Sequence, residues 1–348
     1  MKYQIKYYNI IKVGGGSSKS FNWEKLVLDT KIDIAEFNHD LINEPDPTIC
    51  TEIIDPIQRN NCKAFYYYTK ILNNITQDGN SLYYAPSYLK DNYNIVLSAV
   101  TEDGRALYYA SNRLKDNYNI VLSAVTEDGR ALYIASDRLK DNTDIVKAAI
   151  IHTRALEYAS NRLKDNFDIV KKAVTHNGRA LCAASNRLKD DFEIVKKAVT
   201  QDGEALCSAS NRLKDNFDIV KKAVTQDGTA LYAASDNLKN DFDIVKKAVT
   251  QDGLALKYAS DDLKNDFDIV KKAVTKDGFA LKYASNRLKD NFDIVKAAIT
   301  QAGKALFYAS NRLRNNSNIG DAAITQDSRA SLYILDNYNN NYYDSYYY

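Results

Sequence analysis

Apolar residues along most of this chain follow one short pattern that recurs at a fixed interval. The pattern reads LKDNFDIVKKAVTQDG at residues 213–228, and its first leucine recurs at Leu89, Leu114, Leu139, Leu163, Leu188, Leu213, Leu238, Leu263, Leu288 and Leu313. The period is 25 residues, except for one step of 24 between Leu139 and Leu163. Nine complete repeats therefore cover residues 89–312, and weaker copies continue at both ends. A fixed period of this length is typical of a repeat protein.

Each repeat begins with the hydrophobic spacing of a short helix. In the repeat at 163–187, Phe167, Val170 and Val174 lie at i, i+3 and i+7, so they share one face of a helix. Asp165 precedes this stretch, and a carboxylate there can accept hydrogen bonds from backbone amides that the first turn leaves unpaired. We therefore expect Asp165 to be the N-cap of the first helix.

A glycine turn separates this helix from a second one. Gly178 lacks a β-carbon, which predicts a left-handed backbone conformation at the end of the first helix. Leu181, Ala184 and Leu188 then continue with helical spacing over 179–188. Two helices of about ten residues each are too short to be stable alone, so they must pack against neighbouring repeats. The sequence predicts an all-α fold, an α-solenoid of stacked two-helix repeats.

Composition distinguishes three further segments outside the repeats. Residues 1–20 form a Lys/Tyr-rich leader followed by a Gly/Ser linker. Residues 21–63 form an acidic segment, which we interpret as an N-terminal cap on the array, with a small adaptor module as the alternative. The array itself, including its weaker end copies, is predicted over 64–336, and an Asn/Tyr-rich tail occupies 337–348.

The repeat resembles a known family through its LKDN(F/Y)DIV, TQDG and ALKYAS blocks. They are similar to the repeat called domain of unknown function 4116, which is found in giant viruses, protists and some bacterial effectors. The opening MKYQIKYYNIIKVGGG is also similar to the Lys/Tyr-rich leader of many giant-virus proteins. The resemblance implies a helical repeat fold and a giant-virus origin of the mimivirus-like type. The family carries no established activity, so no catalytic residues follow from it.

Charge and composition exclude several kinds of function. Lys and Arg number 47 against 45 Asp and Glu, and a net charge of +2 is too small for a protein that neutralises many phosphates. The four cysteines and three histidines lack the spacing of a metal site, so we expect no metal, no cofactor and free thiols at Cys182 and Cys207. The sequence also predicts no transmembrane segment and no secretion signal, hence a cytoplasmic protein, in the host cytoplasm if it is viral.

The exposed positions of the first helix hardly vary between repeats. Five repeats carry a Lys-Lys pair there, with an acidic residue four positions before the second lysine. Such spacing predicts i,i+4 ion pairs on a solvated helix face. The pairs lie at Lys171-Lys172, Lys196-Lys197, Lys221-Lys222, Lys246-Lys247 and Lys271-Lys272.

Three positions in the second helix vary strongly between repeats. The first variable position directly follows the turn glycine, the second lies three residues later, and the third is the next residue. Their offsets of i, i+3 and i+4 place them on one face of the predicted helix, so stacked repeats would align them into one surface, which we call the variable ribbon. The alternative is that these positions drifted after duplication.

The variable ribbon is the predicted binding surface, because Tyr and Arg often anchor protein interfaces. Its predicted partner-binding residues are Arg105, Tyr108, Tyr109, Arg130, Tyr133, Tyr158, Arg179, Tyr232, Lys257, Tyr258, Phe279, Lys282, Tyr283, Phe307 and Tyr308.

The predicted function is that of a non-enzymatic scaffold. We expect a monomer that binds a protein or peptide, including a host component if the chain is viral. The alternative is binding of single-stranded nucleic acid with one repeat per base, against which the small net charge, Glu157 and Glu204 count. The sequence contains no Gly-rich phosphate loop, metal constellation or nucleophile motif that would indicate an enzyme.

Overall fold

A computed structural model describes residues 56–152 and 154–334 of the chain. The regular secondary structure of these residues is entirely helical, and equivalent helices of successive repeats pack against each other with a period of about 25 residues. The predicted all-α solenoid of stacked repeats is therefore confirmed. The predictions for the leader, for most of the acidic segment and for the tail lie outside the described residues.

In the structure each repeat is counted from its long helix and continues through a 3₁₀ helix and a short helix. Asp165 therefore ends one structural repeat, and Ser185 and Arg187 belong to the next. A further helix, Pro56–Gln77, precedes the repeats. The long helices are Tyr93–Glu102, Tyr118–Glu127, Thr143–Ala149, Phe167–His176, Phe192–Gln201, Phe217–Gln226, Phe242–Gln251, Phe267–Lys276, Phe292–Gln301 and Ser317–Gln326. The 3₁₀ helices are Gly79–Tyr84, Gly104–Tyr109, Gly129–Tyr133, Ala155–Tyr158, Gly178–Ala183, Gly203–Ser208, Gly228–Ala233, Gly253–Tyr258, Gly278–Tyr283, Gly303–Tyr308 and Ser328–Tyr333. The short helices are Ser87–Lys90, Asn112–Lys115, Asp137–Lys140, Asn161–Lys164, Asn186–Lys189, Asn211–Lys214, Asp236–Lys239, Asp261–Lys264, Asn286–Lys289 and Asn311–Arg314.

The chain divides into two compact parts, Met1–Ile134 and Ala135–Tyr348. Within each part, long helices of adjacent repeats pack side by side, and the 3₁₀ helices form a parallel row. The repeat that is one residue short follows the division. Its long helix has only seven residues, and Arg154 adopts a left-handed backbone conformation with φ of 71°.

The prediction of one continuous second helix is wrong. Residues 179–188 divide into the 3₁₀ helix, an extended break at Ala184 and Ser185, and the short helix. The break lets the Ser185 amide donate to the carbonyl of Lys164 in the preceding repeat at 2.9 Å. The Ser185 side chain also accepts a hydrogen bond from the amide of Leu188, which caps the short helix. The serine thus ties the repeat to its neighbour where a continuous α-helix would bond only to itself.

The prediction of Asp165 as N-cap of the long helix is also wrong. Asn166 caps that helix, and its Oδ1 accepts a hydrogen bond from the amide of Ile169 at 3.0 Å. Asp165 lies one residue earlier, at the end of the short helix. There its carboxylate faces the next repeat and accepts hydrogen bonds from Ser185 and Arg187.

The reason we gave for the turn glycine is wrong as well. No described glycine has a positive φ, and Asn177 ends the long helix in an extended conformation with φ of −147°. The constraint comes from the next repeat instead. A β-carbon on Gly203, the equivalent glycine one repeat later, would lie 2.6 Å from the carbonyl oxygen of Ala223 in the following long helix. Glycine is needed because two repeats approach each other too closely for any side chain.

The core runs along each part between the long helices and the 3₁₀ helices. In the repeat at 163–187, Val170 and Val174 are buried as predicted, and so is Leu181 from the 3₁₀ helix. Phe167, the first residue of the predicted stripe, is only half-buried and lies beneath the ammonium group of Lys171, 5.3 Å from the ring centroid.

The paired lysines of the long helices cover aromatic rings. The first lysine of each pair lies over the Phe ring that begins its helix, as Lys221 does over Phe217 at 5.3 Å. In the described part of the chain, the acidic residue four positions before the second lysine forms no ion pair with it within 4.0 Å. The predicted i,i+4 ion pairs are therefore wrong. Lys172, the second lysine of the first pair, instead donates from Nζ to the carbonyl of Lys147 in the preceding repeat at 3.3 Å.

Within each compact part, a polar clamp joins several repeats to the one that follows. In its full form, Ser185 donates from its hydroxyl to the Asp165 carboxylate, and Arg187 donates from Nε to Asp165 Oδ1 at 3.0 Å and from Nη2 to the Asp165 carbonyl at 2.6 Å. The same arrangement recurs at Asp91, Asp141, Asp190 and Asp290. The clamp explains why the Ser-x-Arg-x-x-Asp spacing recurs in several repeats.

Acid is expected to weaken the array through these clamps. The hydrogen bonds from Ser185 and Arg187 hold the pKa of Asp165 below its usual value, and the other four clamp aspartates shift in the same direction. Because the folded state favours the ionised carboxylate, this stabilisation is present above the usual pKa of about 3.9 and is lost as the pH falls through the lowered folded value.

Urea titrations at several pH values test this expectation, with the five clamp aspartates replaced by Asn as the comparison. Asn240 and Asn265 already occupy this position in two repeats and accept the serine hydroxyl, so the replacement preserves the hydrogen bond. On acidification, the urea concentration at the unfolding midpoint should fall further for the natural chain than for the Asn variant. Equal losses would show that other carboxylates carry the pH dependence.

Candidate binding surface

In each compact part the residues of the variable ribbon lie on the 3₁₀ helices, and all 15 predicted partner-binding residues are exposed or half-exposed. The second variable positions are the most exposed of the aromatic ones, with 61% of Tyr108, 62% of Tyr133, 48% of Tyr232 and 47% of Phe307 open to solvent. None of the 15 is buried in the core, so the geometry is compatible with binding.

The shape of the 3₁₀ helix changes how the three positions are related. A 3₁₀ helix has three residues per turn, so the first and second variable positions point the same way and the third is rotated by about 120°. The prediction that all three share one α-helical face is therefore wrong. The third position turns toward the neighbouring repeat, and Tyr109, Tyr258 and Tyr308 are accordingly half-buried.

Rings of the variable ribbon contact each other between repeats. The second-position ring of one repeat packs against the third-position ring of the next, as Phe307 does against Tyr333 at a centroid distance of 5.3 Å. The same contact joins Tyr232 to Tyr258 at 5.8 Å. Edge-to-face and tilted ring pairs at these distances add attraction beyond the area they bury. Stacking of the repeats therefore produces a row of ordered rings.

Neighbouring rings within one repeat support this row. Tyr108 and Tyr109 meet edge to face at 5.3 Å, and Phe307 and Tyr308 do so at 5.1 Å. Where the second position is a lysine, its ammonium group takes the place of the ring, and Lys257 lies 5.5 Å from the centroid of Tyr258. Lys282 lies over Tyr283 in the same way at 5.8 Å.

The arginines at the first variable position are paired with carboxylates. Arg105 contacts Asp103 through Nε at 3.1 Å and Nη2 at 2.8 Å, and this hydrogen bonding lowers the pKa of Asp103. Arg179 instead reaches the next repeat, where it bonds to Asp202 at 2.8 Å and to Glu204. The arginines therefore add hydrogen-bond donors to the surface but little net charge.

The middle of the variable ribbon carries small side chains. Cys182 and Cys207 are free thiols, as predicted, and occupy the second variable position in adjacent repeats. Cys207 Sγ contacts the hydroxyl of Tyr232 one repeat later, which raises the pKa of that phenol. These repeats therefore carry fewer rings than the repeats with Tyr or Phe at the second variable position.

Sequence reasoning missed two exposed tyrosines that extend the row. Tyr83 and Tyr84 lie on the first 3₁₀ helix, and Tyr83 contacts both Tyr84 at 4.8 Å and Tyr109 at 5.3 Å. Their signal was present, because GNSLYYA at 79–85 aligns with GRALYYA at 104–110 without a gap. We had confined the site to the nine complete repeats and therefore excluded them.

Metal-ligand groups and membrane-spanning helices are both absent from residues 56–152 and 154–334. These residues contain no group of three or more His, Cys, Asp or Glu side chains placed to hold a metal ion. Their helices also include none with the length and apolar character needed to span a bilayer.

Comparison with known proteins identifies the repeat. A family model described as domain of unknown function (DUF4116) matches residues 70–115, 117–164, 151–189, 166–214, 191–239, 216–264, 241–289 and 266–314. Most matches span two repeats, and the last five begin 25 residues apart, in agreement with the period of the structure. Together they cover well over half of the chain. No curated protein and no solved structure matches it.

Proposed function

We propose that this chain, which belongs to the DUF4116 family of helical repeats, binds a protein or peptide along its variable ribbon and catalyses no reaction. The observation that carries the proposal is the row of rings. Rings contact each other between repeats at Tyr83–Tyr109, Tyr232–Tyr258 and Phe307–Tyr333. Yet Tyr83, Tyr232 and Phe307 each leave about half of their surface in water.

The contrast between constant and variable positions supports this function. The core residues, the turn glycine and the clamp serine each have a contact in an adjacent repeat that explains their constancy. The variable positions make no contact that demands one residue type, and Tyr, Cys, Lys and Phe all occur at the second of them. Variation confined to an exposed surface on a constant frame is what recognition of a specific partner requires.

Ordered rings also favour tight binding. Association costs free energy when flexible side chains must become ordered, and rings already held by ring contacts or lysine stems lose less freedom. Tyrosine adds a large apolar area with a hydroxyl group that hydrogen-bonds at its tip. The paired arginines of the first variable position supply further donors beside the rings. We therefore place the strongest contacts where the rings are dense.

Affinity capture with three forms of the chain tests the proposal. In the test variant, Tyr108, Tyr133, Tyr258, Tyr283 and Phe279 are changed to Ala. In the matched control, five exposed rings that begin long helices, Tyr93, Tyr118, Phe217, Phe242 and Phe292, are changed to Ala. We expect a protein partner retained by the natural chain and the control to lose about tenfold or more of its capture with the test variant.

Circular dichroism must show that both variants keep their helices. Equal capture by all three proteins would contradict the proposal and favour drift at the variable positions. Captured material that nuclease removes would instead favour nucleic-acid binding, the alternative that the sequence left open. The giant-virus origin, the host partner, the monomeric state and the cytoplasmic location stay predictions from the sequence.

A further inference from the structure

Five tyrosines form the densest part of the row of rings, and they lie within one compact part of the chain. They are Tyr83, Tyr84, Tyr108, Tyr109 and Tyr133, which we call the tyrosine patch. The ring of Tyr109 lies 5.3 Å from both Tyr83 and Tyr108, so it separates second-position rings of successive repeats. The surface therefore presents an exposed second-position ring in each repeat, with the half-buried ring of Tyr109 between Tyr83 and Tyr108 and the exposed ring of Tyr84 beside Tyr83.

The patch is almost uncharged. Residues 56–134 contain eight Lys or Arg and seven Asp or Glu, which gives +1. The nearest lysines are placed over rings, with Lys90 at 5.9 Å from the Tyr83 centroid and Lys115 at 5.6 Å from that of Tyr108. Neutrality of this kind fits an uncharged ligand better than a polyanion.

The spacing of the exposed rings restricts the shape of the ligand. Tyr83, Tyr108 and Tyr133 recur once per repeat, and packed helices lie about 8 to 10 Å apart. The repeats are in close contact here, since the hydroxyl oxygens of Thr101 and Ser123 on adjacent long helices are 3.1 Å apart. A ligand that contacts every ring in the same way must therefore repeat itself at about that interval.

A polyproline II helix has this repeat. It rises about 3.1 Å per residue with three residues per turn, so one face recurs every 9 Å or so. A β-strand presents one face about every 6.7 Å, and an α-helix turns every 5.4 Å or so, which would shift out of register with the rings. Proline rings also pack well on aromatic side chains, and aromatic-lined grooves are a known mode of recognition for proline-rich peptides.

Polar groups in the patch complement the backbone of such a peptide. A cleft of about 350 Å³ opens between repeats and is lined by Arg105, Tyr108, Tyr109 and Arg130 among others. A polyproline II backbone makes no internal hydrogen bonds, so its carbonyl groups need donors. The Arg105 guanidinium carries five N–H donors. Its Nε and Nη2 donate to Asp103, and the remaining N–H groups of Arg105 can donate to a ligand.

We propose that the tyrosine patch binds an uncharged, proline-rich peptide in the polyproline II conformation, with a proline at every third position placed over Tyr83, Tyr108 and Tyr133. The inference rests on the proposed function, because it names the partner class for one end of the variable ribbon.

Two synthetic peptides of equal composition test the proposal with the full chain. One has proline at every third position and the other at every fourth, and fluorescence anisotropy reports their dissociation constants. We expect the first to bind about fivefold or more tightly than the second, because only its prolines keep register with the repeats. Equal affinities, or no binding of either peptide, would overturn the proposal, and so would tighter binding of a single-stranded oligonucleotide.

A pair of variants locates the binding. The double variant Tyr83→Ala, Tyr108→Ala should weaken binding of the first peptide about tenfold. The control Tyr93→Ala, Tyr118→Ala also removes one ring from each of two repeats and should leave the affinity for this peptide unchanged. Equal effects of both variants would overturn the proposed location. If the capture experiment succeeds while neither peptide binds, the scaffold function stands and only this choice of partner is wrong.

Discussion

Gly228→Ala is expected to destabilise the array by about 2 to 4 kcal/mol, through a clash that only the next repeat supplies. A β-carbon at Gly228 would lie 2.5 Å from the carbonyl oxygen of Ala248, which accepts the amide hydrogen bond of Asp252 at 2.9 Å. The new methyl group must therefore push the long helix of the following repeat away or break the bond that ends it.

Whether Gly228→Ala lowers or raises the free energy of unfolding distinguishes a constraint from packing from one of backbone conformation. Gly228 has no positive φ, and replacing such a glycine by Ala ordinarily stabilises a protein by about 0.4 to 1 kcal/mol. Urea unfolding measures the free energy, and hydrogen exchange of Phe242–Gln251 should increase with the substitution. Ser328 occupies the same position in the last described repeat and is exposed, so Ser328→Ala is a suitable control. A neutral or stabilising Gly228→Ala would contradict the close approach of the repeats.

Leu256→Ala is expected to cost about 2 to 4 kcal/mol, because the row of 3₁₀ helices forms one side of the core. The Leu256 side chain is fully buried, and its truncation would leave a cavity against the long helices. Leu254 lies two residues earlier on the same 3₁₀ helix, Gly253–Tyr258, and is 38% exposed. The two leucines therefore differ in burial but not in chemistry or element.

Leu254→Ala should change the free energy of unfolding by about 0.5 kcal/mol or less, since it removes little buried surface. Measuring both variants by urea unfolding at the same protein concentration gives the comparison directly. Similar effects from the two substitutions would show that the 3₁₀ helix lies on the core without contributing to it.

The repeat period and the long helices could be predicted from the sequence because their causes are local. Phe167–His176 begins and ends where apolar spacing and turn residues place it, and Val170 and Val174 are buried as expected. The second helix was harder, because six residues with apolar positions at i, i+2 and i+3 fit a 3₁₀ helix or an α-helix equally well. Ser185 indicates where the short helix begins, because serine is a favoured N-cap residue.

The roles of Gly178 and Asp165 could not be predicted from one repeat alone. Both residues are fixed by atoms of the next repeat, the glycine by a backbone carbonyl of Ala198 and the aspartate by Ser185 and Arg187. Local rules assigned each of them to its own helix, which was reasonable for the residue types but wrong for these positions. In a solenoid, a constant residue is better explained by its contact with the neighbouring repeat.

The candidate site, too, could be predicted from the sequence only in part. Exposure of the variable positions followed from their variability, and the structure agrees for Arg105, Tyr133, Tyr258 and Phe279. The contacts between rings did not follow, because they depend on the turn of the 3₁₀ helix and on the stacking distance. The ion pairs of the arginines could not be derived from one repeat either, because Arg179 bonds to Asp202 and Glu204 of the next repeat.

Site-specific crosslinking tests most directly whether the variable ribbon binds the partner. A photoreactive benzoylphenylalanine replaces Tyr108 on the variable ribbon or, in the control, Tyr118, which begins a long helix and is also exposed. After irradiation with the captured partner, the account predicts a covalent adduct from position 108 and little or none from position 118. Efficient crosslinking from 118 with none from 108 would show that the partner binds another surface and would contradict the account.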